Sequence, residues 1–199
     1  MATIVRREDY FDAALAILAT NDHAGLKQAR LCSRLEVTTG SFYNYFDSWG
    51  QFKSELLQHW LENQTLQLTT AARLEGSMPR RLQLLIDFAC NLPHSAESAI
   101  RGWSHSDPAV HEVQCQVDEL RYAVIAEAVT PILGPQEKVE PFARTALYAL
   151  VGYQQTVPLQ DVSSLRWSLD YLLQTLLSRL SADHHLPPAS DTRPAGPPA

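Results

Sequence analysis

Between Leu31 and Phe46 the chain reads LCSRLEVTTGSFYNYF, setting small polar residues ahead of aromatics at helical spacing. Hydroxyls and amides such as those of Thr38, Thr39, Ser41, Tyr43 and Asn44 are the groups that hydrogen-bond phosphate oxygens and base edges. A groove roughly 12 Å wide admits a helix only where its leading side chains are short, and Thr38, Thr39, Gly40 and Ser41 meet that need. Gly40 is otherwise a poor helix residue, disfavoured by roughly 1 kcal/mol against alanine; its bare backbone makes sense where DNA comes close. Tyr43 and Asn44 follow one turn on, within reach of phosphates or base edges. Phe42, Tyr45 and Phe46 are expected to be core residues, and Tyr43 alone could equally be an exposed aromatic.

Other chemistries find no support. There is no GxSxG, P-loop or dinucleotide fingerprint, and Gly40-Ser41 lacks the strand–turn–helix context of a nucleophile elbow. Cys32, Cys90 and Cys115 are odd in number and far apart, which suggests neither a disulfide framework nor a zinc site. His105 and His111 are six residues apart, wrong for two ligands on one helical face. Neither an enzyme, a metal centre nor a cofactor is expected.

The elements that must hold these residues are helical nearly throughout. Phe11, Ala14, Leu15 and Leu18 mark a first amphipathic helix ending near Asn21 to Gly25. A second runs from Leu26 or Lys27 to about Arg34, with Ala29 and Cys32 inward, and a third from Thr38 to about Phe46. Together the second and third make a helix-turn-helix, whose second helix enters the groove. Ser48 with Gln51 is a capping box opening a long helix to about Glu75. Further helices are expected over Arg80 to Asn91, from a Ser95 cap through Trp103, and from the strong start Asp107-Pro108 toward Leu133. Pro131 should kink or end that helix and Gly134 terminate it; Glu137 to Thr156 and Val162 to Ser181 follow. Arg101 and Asp118 could form an internal ion pair. The expected fold is all-α: a helix-turn-helix domain over 1–48, a helical sensor and dimerisation domain over 49–182, and a Pro-rich tail over 183–199, where five of the 12 prolines fall.

With 199 residues, 45% of them hydrophobic and 19% charged, the chain is long enough for a sizeable core. Its formal charge of −6 argues against coating nucleic acid by bulk positive charge. The excess is uneven, however. Residues 1–60 hold 6 basic and 7 acidic side chains, leaving −5 for the remainder. A local DNA-reading surface is therefore allowed. The N-terminal stretch lacks an apolar signal core and no run is long enough to span a bilayer, so a cytoplasmic protein is expected.

Val37-Thr38-Thr39-Gly40-Ser41-Phe42-Tyr43, followed by Tyr45-Phe46, resembles the recognition-helix signature of the TetR family of dimeric transcriptional regulators. Ala99-Ile100-Arg101-Gly102-Trp103, Asp107-Pro108, Val117-Asp118 with Arg121, and Gly152-Tyr153-Gln154-Gln155 resemble one subgroup of it. The resemblance implies that Thr38 and Tyr43 contact phosphate, that Thr39 and Gly40 read bases, that Asn44 does either, and that Lys27 touches phosphate. The chain departs from the family at Glu36, where glycine is usual, and at Trp49, where lysine is common.

The same resemblance implies a ligand-responsive regulator, a repressor, acting as a homodimer on a near-palindromic operator. The alternative is a helical module of this type that binds ligand or protein and whose DNA binding is weak or lost. Polar or aromatic residues on otherwise apolar helices are the pocket candidates: Phe88, Asn91, Trp103, His105, His111, Tyr122, Tyr148, Tyr153 and Gln154. Such a set suits a small, largely apolar ligand. Leu165, Leu169, Leu172, Leu173, Leu176 and Leu180, with Ala146, Leu147, Leu150 and Val151 on the preceding helix, form stripes wide enough to serve a dimer through the last two helices; the plainer reading is that both stripes face their own core.

Overall fold

The computed structural model describes residues 5–21 and 23–183, the side chains from residue 179 onward excepted. Most of the tail expected over 183–199, and the Leu180 side chain, lie outside these. The described residues form helices without a strand: α1 (Arg7–Asn21), a 3₁₀ turn (His23–Gly25), α2 (Gln28–Arg34), α3 (Thr39–Tyr43), α4 (Trp49–Leu61), a π turn (Glu62–Leu66), α5 (Gln67–Leu74), α6 (Met78–Asn91), α7 (His94–Ser104), α8 (Pro108–Leu133), α9 (Gln136–Gln154) and α10 (Val162–Asp183). None is long and apolar enough to cross a membrane.

Helix α1 buries Tyr10, Phe11, Ala13, Ala14, Ile17 and Leu18, more than one stripe, because α2 and α4 pack on one side and α7 on another. Leu31 and Cys32 fix the buried face of α2. Ala29 is exposed rather than inward, since at 100° per residue it sits about 110° from the middle of that face. Helix α3 is only five residues long, ending before the expected Phe46. Its foot is instead a turn that drives Phe46 into the core (1% exposed) beside Phe42 (0%).

Ser48 accepts the Gln51 amide at 3.0 Å, as its box requires. The Gln51 side chain reaches one residue further back than expected, to the Asp47 amide at 2.6 Å. Helix α4 then passes through the π turn into α5, a widening that no periodicity announced. Asp107 caps α8 by accepting the Ala109 amide, whereas Ser95 does not cap α7. That helix begins at His94 behind Pro93, whose ring already sets a compatible φ and needs no amide partner. Pro131 stays inside α8, which runs to Leu133. Gly134, at φ +74°, ends it by donating its amide to the Thr130 carbonyl.

One core joins α1, α2, α3 and α4 to Ala96, Ile100 and Trp103 of α7 and Val110 and Val117 of α8. The helix-turn-helix therefore shares its core with α7 and α8. Two further clusters lie among α6, α8, α9 and α10, one around Ile86, Leu150, Leu165 and Leu169, the other around Leu82, Val129, Val139 and Leu176.

Candidate nucleic-acid interface and ligand cavity

The turn between α2 and α3 is a Schellman motif: the Val37 amide donates to the Cys32 carbonyl at 3.0 Å and the Glu36 amide to the Ser33 carbonyl at 3.2 Å. The motif needs a left-handed residue at the position held by Glu36, whose φ is +56°. A side chain there costs about 1 kcal/mol relative to glycine. It also leaves an exposed carboxylate at the head of α3.

Thr38 caps α3 by accepting the Ser41 amide at 3.1 Å, and its hydroxyl lies 3.0 Å from that of Ser41. Beyond them Thr39, Gly40, Tyr43 and Asn44 are exposed, with Lys27, Arg30 and Arg34 exposed along α2 and at its cap. A Cβ built on Gly40 would meet nothing nearer than the Thr38 hydroxyl at 3.6 Å, so nothing within the chain demands glycine there.

What holds this face is aromatic. Tyr10, Phe42, Phe46 and Phe52 pack edge to face with centroids 5.0–5.9 Å apart, a geometry that favours the ring quadrupoles. Tyr45 donates its hydroxyl to the Val5 carbonyl at 2.7 Å. Trp49 stacks on Phe52 at 4.9 Å and also meets Phe42. Trp49 is thus a cover of the aromatic core. Arg7 lies over Phe46 and pairs with Glu55 of α4, while Lys53 of α4 reaches the Asp107 cap of α8 at 3.3 Å.

Behind α4 lies a buried polar cluster. Glu97 of α7 is 3% exposed. It accepts two bonds from Arg121 of α8 at 2.6 and 2.8 Å, one from the Trp60 indole of α4 at 3.2 Å, and one from the Gln154 amide of α9 at 2.8 Å. Burial alone would push the Glu97 carboxyl up; the guanidinium and these donors outweigh it and hold it below the usual carboxylate range. Arg121 also donates to the Gln64 carbonyl inside the π turn at 3.3 Å. Four helices and the π turn thus share one ion pair. Arg101 and Asp118 pair bidentately at 2.7 and 2.8 Å, as the sequence suggested.

On the other side of the π turn a cavity of about 110 Å³ opens between the two C-terminal clusters, walled largely by aliphatic side chains of α6, α8, α9 and α10. Its polar lining is confined to Gln64, Thr65, Thr69 and Arg121. Thr69 donates its hydroxyl to the Leu66 carbonyl, but the Thr65 hydroxyl, on a residue 1% exposed, has no partner.

Of the nine residues expected at a pocket, Phe88 lines this cavity. The structure does not bring the others to it. Asn91, His105, His111 and Tyr148 are exposed, Asn91 donating back to the Asp87 carbonyl. Trp103 packs in the N-terminal core, Tyr122 under the Arg144 guanidinium, and Tyr153 donates to the Gln160 carbonyl, while Gln154 serves Glu97. These groups are exposed or partnered elsewhere, and the wall fell mainly to leucines, isoleucines and valines, with Phe88 and Phe142. Sequence reasoning missed Thr65 and Glu97; the one available signal was Arg121, placed at core spacing between Val117 and Val124.

The leucine stripe of α10 also faces inward. Leu165, Leu169 and Leu176 are buried, and Leu172 and Leu173 line the cavity. The most exposed apolar side chains described on α10 are instead Trp167 (68%) and Tyr171 (61%), stacked at 5.5 Å.

No family model matches the chain, and no curated protein matches it in sequence. Solved structures do match. A transcriptional regulator from Rhodococcus sp. Rha1 superposes with a TM-score of 0.70 at 15% identity, over 87% of this chain and 97% of that one. A TetR-family transcriptional regulator from Streptomyces coelicolor gives 0.69 at 16%, over 88% and 95%. A transcriptional regulator from Saccharomonospora viridis, in complex with choline, gives 0.69 at 13%, over 84% and 95%.

Proposed function

Starting from a chain that has the fold of the TetR-family transcriptional regulators, we propose that it is a ligand-responsive, sequence-specific DNA-binding regulator. In this reading residues 1–48 read the DNA, residues 49–182 sense and dimerise, and the protein is a cytoplasmic repressor acting as a homodimer. The observation that carries it is the α3 face. Thr39, Gly40, Tyr43 and Asn44 stand exposed on a helix anchored through the fully buried Phe42, and Gly40 has no reason for its absent side chain inside the protein.

Thr39 and Gly40 meet base edges, Thr38, Ser41, Tyr43 and Lys27 serve phosphates, and Asn44 takes either. Two copies related by a dyad, joined through α9 and α10 with the Trp167–Tyr171 pair at the seam, match a near-palindromic operator with half-sites one helical turn or more apart. Ligand in the α6–α10 cavity favours a dimer whose α3 helices are misspaced for adjacent grooves. The α4–π turn–α5 rod carries the change, since it lines the cavity at one end and supports α3 at the other.

Selection of DNA from a random pool by the purified protein, at two salt concentrations, tests this. The expected result is one palindromic site whose affinity falls steeply with salt. No enrichment above non-specific DNA would sink it, in favour of a ligand- or protein-binding module in which the Glu36 carboxylate keeps DNA away.

A further inference from the structure

The cavity's own chemistry narrows its ligand, given the sensing role just proposed. Among the described residues Arg121 is the one charged residue on its wall, and both terminal nitrogens of its guanidinium are already held by Glu97. An entering anion would have to compete with a bidentate, buried carboxylate. An entering cation would meet no free carboxylate among the described lining residues, and stripping either ion of water is costly without a partner. Among the described lining residues, the fully buried hydrogen-bonding group without a partner is the Thr65 hydroxyl, able to donate one bond and accept another; the Gln64 amide beside it is only half-buried. Its place in the π turn, where Gln64 already gives its carbonyl to Arg121, puts that hydroxyl at the junction of cavity and rod. About 110 Å³ is of the order of an engineered apolar cavity that admits benzene.

We infer that the effector is a small uncharged molecule, apolar except for one hydroxyl, which engages Thr65 and acts on the π turn directly.

Benzyl alcohol, benzoate, benzylammonium and toluene form a matched probe series for calorimetry on the full chain near neutral pH, without DNA. Benzyl alcohol is expected to bind at least tenfold more tightly than either ion. Thr65→Val, which exchanges the hydroxyl for a methyl, should weaken benzyl alcohol about five- to tenfold and leave toluene binding undiminished. Thr65→Ser should retain most of the affinity, and toluene binding together with helical circular dichroism verifies that each variant is folded. Equal or tighter binding of either ion, equal losses for benzyl alcohol and toluene in Thr65→Val, or no binding of any probe would each overturn the inference. A chain that binds benzyl alcohol as expected but selects no DNA refutes the regulator reading alone; one that selects DNA but prefers an ion refutes the ligand class alone.

Discussion

Arg121 of α8 clasps Glu97 of α7 with both terminal guanidinium nitrogens, at 2.6 and 2.8 Å, where the two side chains are only 9% and 3% exposed. A pair so enclosed contributes little over a well-packed apolar substitute, but breaking it leaves an uncompensated charge. Arg121→Met should lower the unfolding free energy by about 3–5 kcal/mol, and Arg121→Met with Glu97→Leu should recover most of that loss. Urea titration of the three proteins measures it.

Acid should act on the same region in two steps. Burial lowers the His94 pKa from the ordinary 6.5, against the opposing pull of its bond to the Cys90 carbonyl and of Glu97. A lowered folded value means stability present above pH 6.5 and lost as pH falls toward that value. Glu97 is likewise lowered, from 4.5, so its contribution is lost only at more acid pH. Thermal midpoints from pH 8 to 2 should show the first decline beginning near 6.5 and the second below 4.5, and His94→Gln should flatten the first step while sparing the second.

Glu36→Gly should relieve the left-handed strain and stabilise the fold by about 1 kcal/mol, and should also tighten DNA by removing a carboxylate. Glu36→Ala should share only the second effect, because the strain stays. Denaturation and fluorescence anisotropy separate the two.

Trp167→Glu places a charge on the stacked pair of α10. Sedimentation should find a monomer with unchanged circular dichroism; a dimer would refute this seam.

On the proposed DNA face, Thr39→Ala should relax base preference and Tyr43→Phe should weaken all sites together. Lys27→Ala should reduce the salt slope of binding by about 1. Anisotropy titrations over several salt concentrations and operator variants read all three.

What could be read ahead of the structure was local. Asp107-Pro108, Ser48 with Gln51, and the aromatics after Gly40 each declare themselves within a few residues, because caps and turns are short-range devices. Arg101 and Asp118 were legible as a pair of opposite charges on otherwise apolar segments. The cavity wall was not, since Leu68, Ile86, Val124 and Leu172 are indistinguishable in sequence from leucines and valines that simply fill a core. Thr65 gained its meaning from the π turn, and Glu97 from Arg121, Trp60 and Gln154 arriving from three other helices. Tyr148 and His111 drew attention by type alone, and nothing in local spacing says whether such a group turns inward.

The open space beside Gly40 has an evolutionary meaning. A position whose side chain touches no neighbour can be exchanged without refolding the domain, and most exchanges there would strengthen the short α3 helix, glycine being its weakest member. On the proposed DNA face, stability and operator choice would thereby be uncoupled at residue 40. Binding preferences could then be varied there one substitution at a time, by nature or in a library, with proline excepted as a helix breaker.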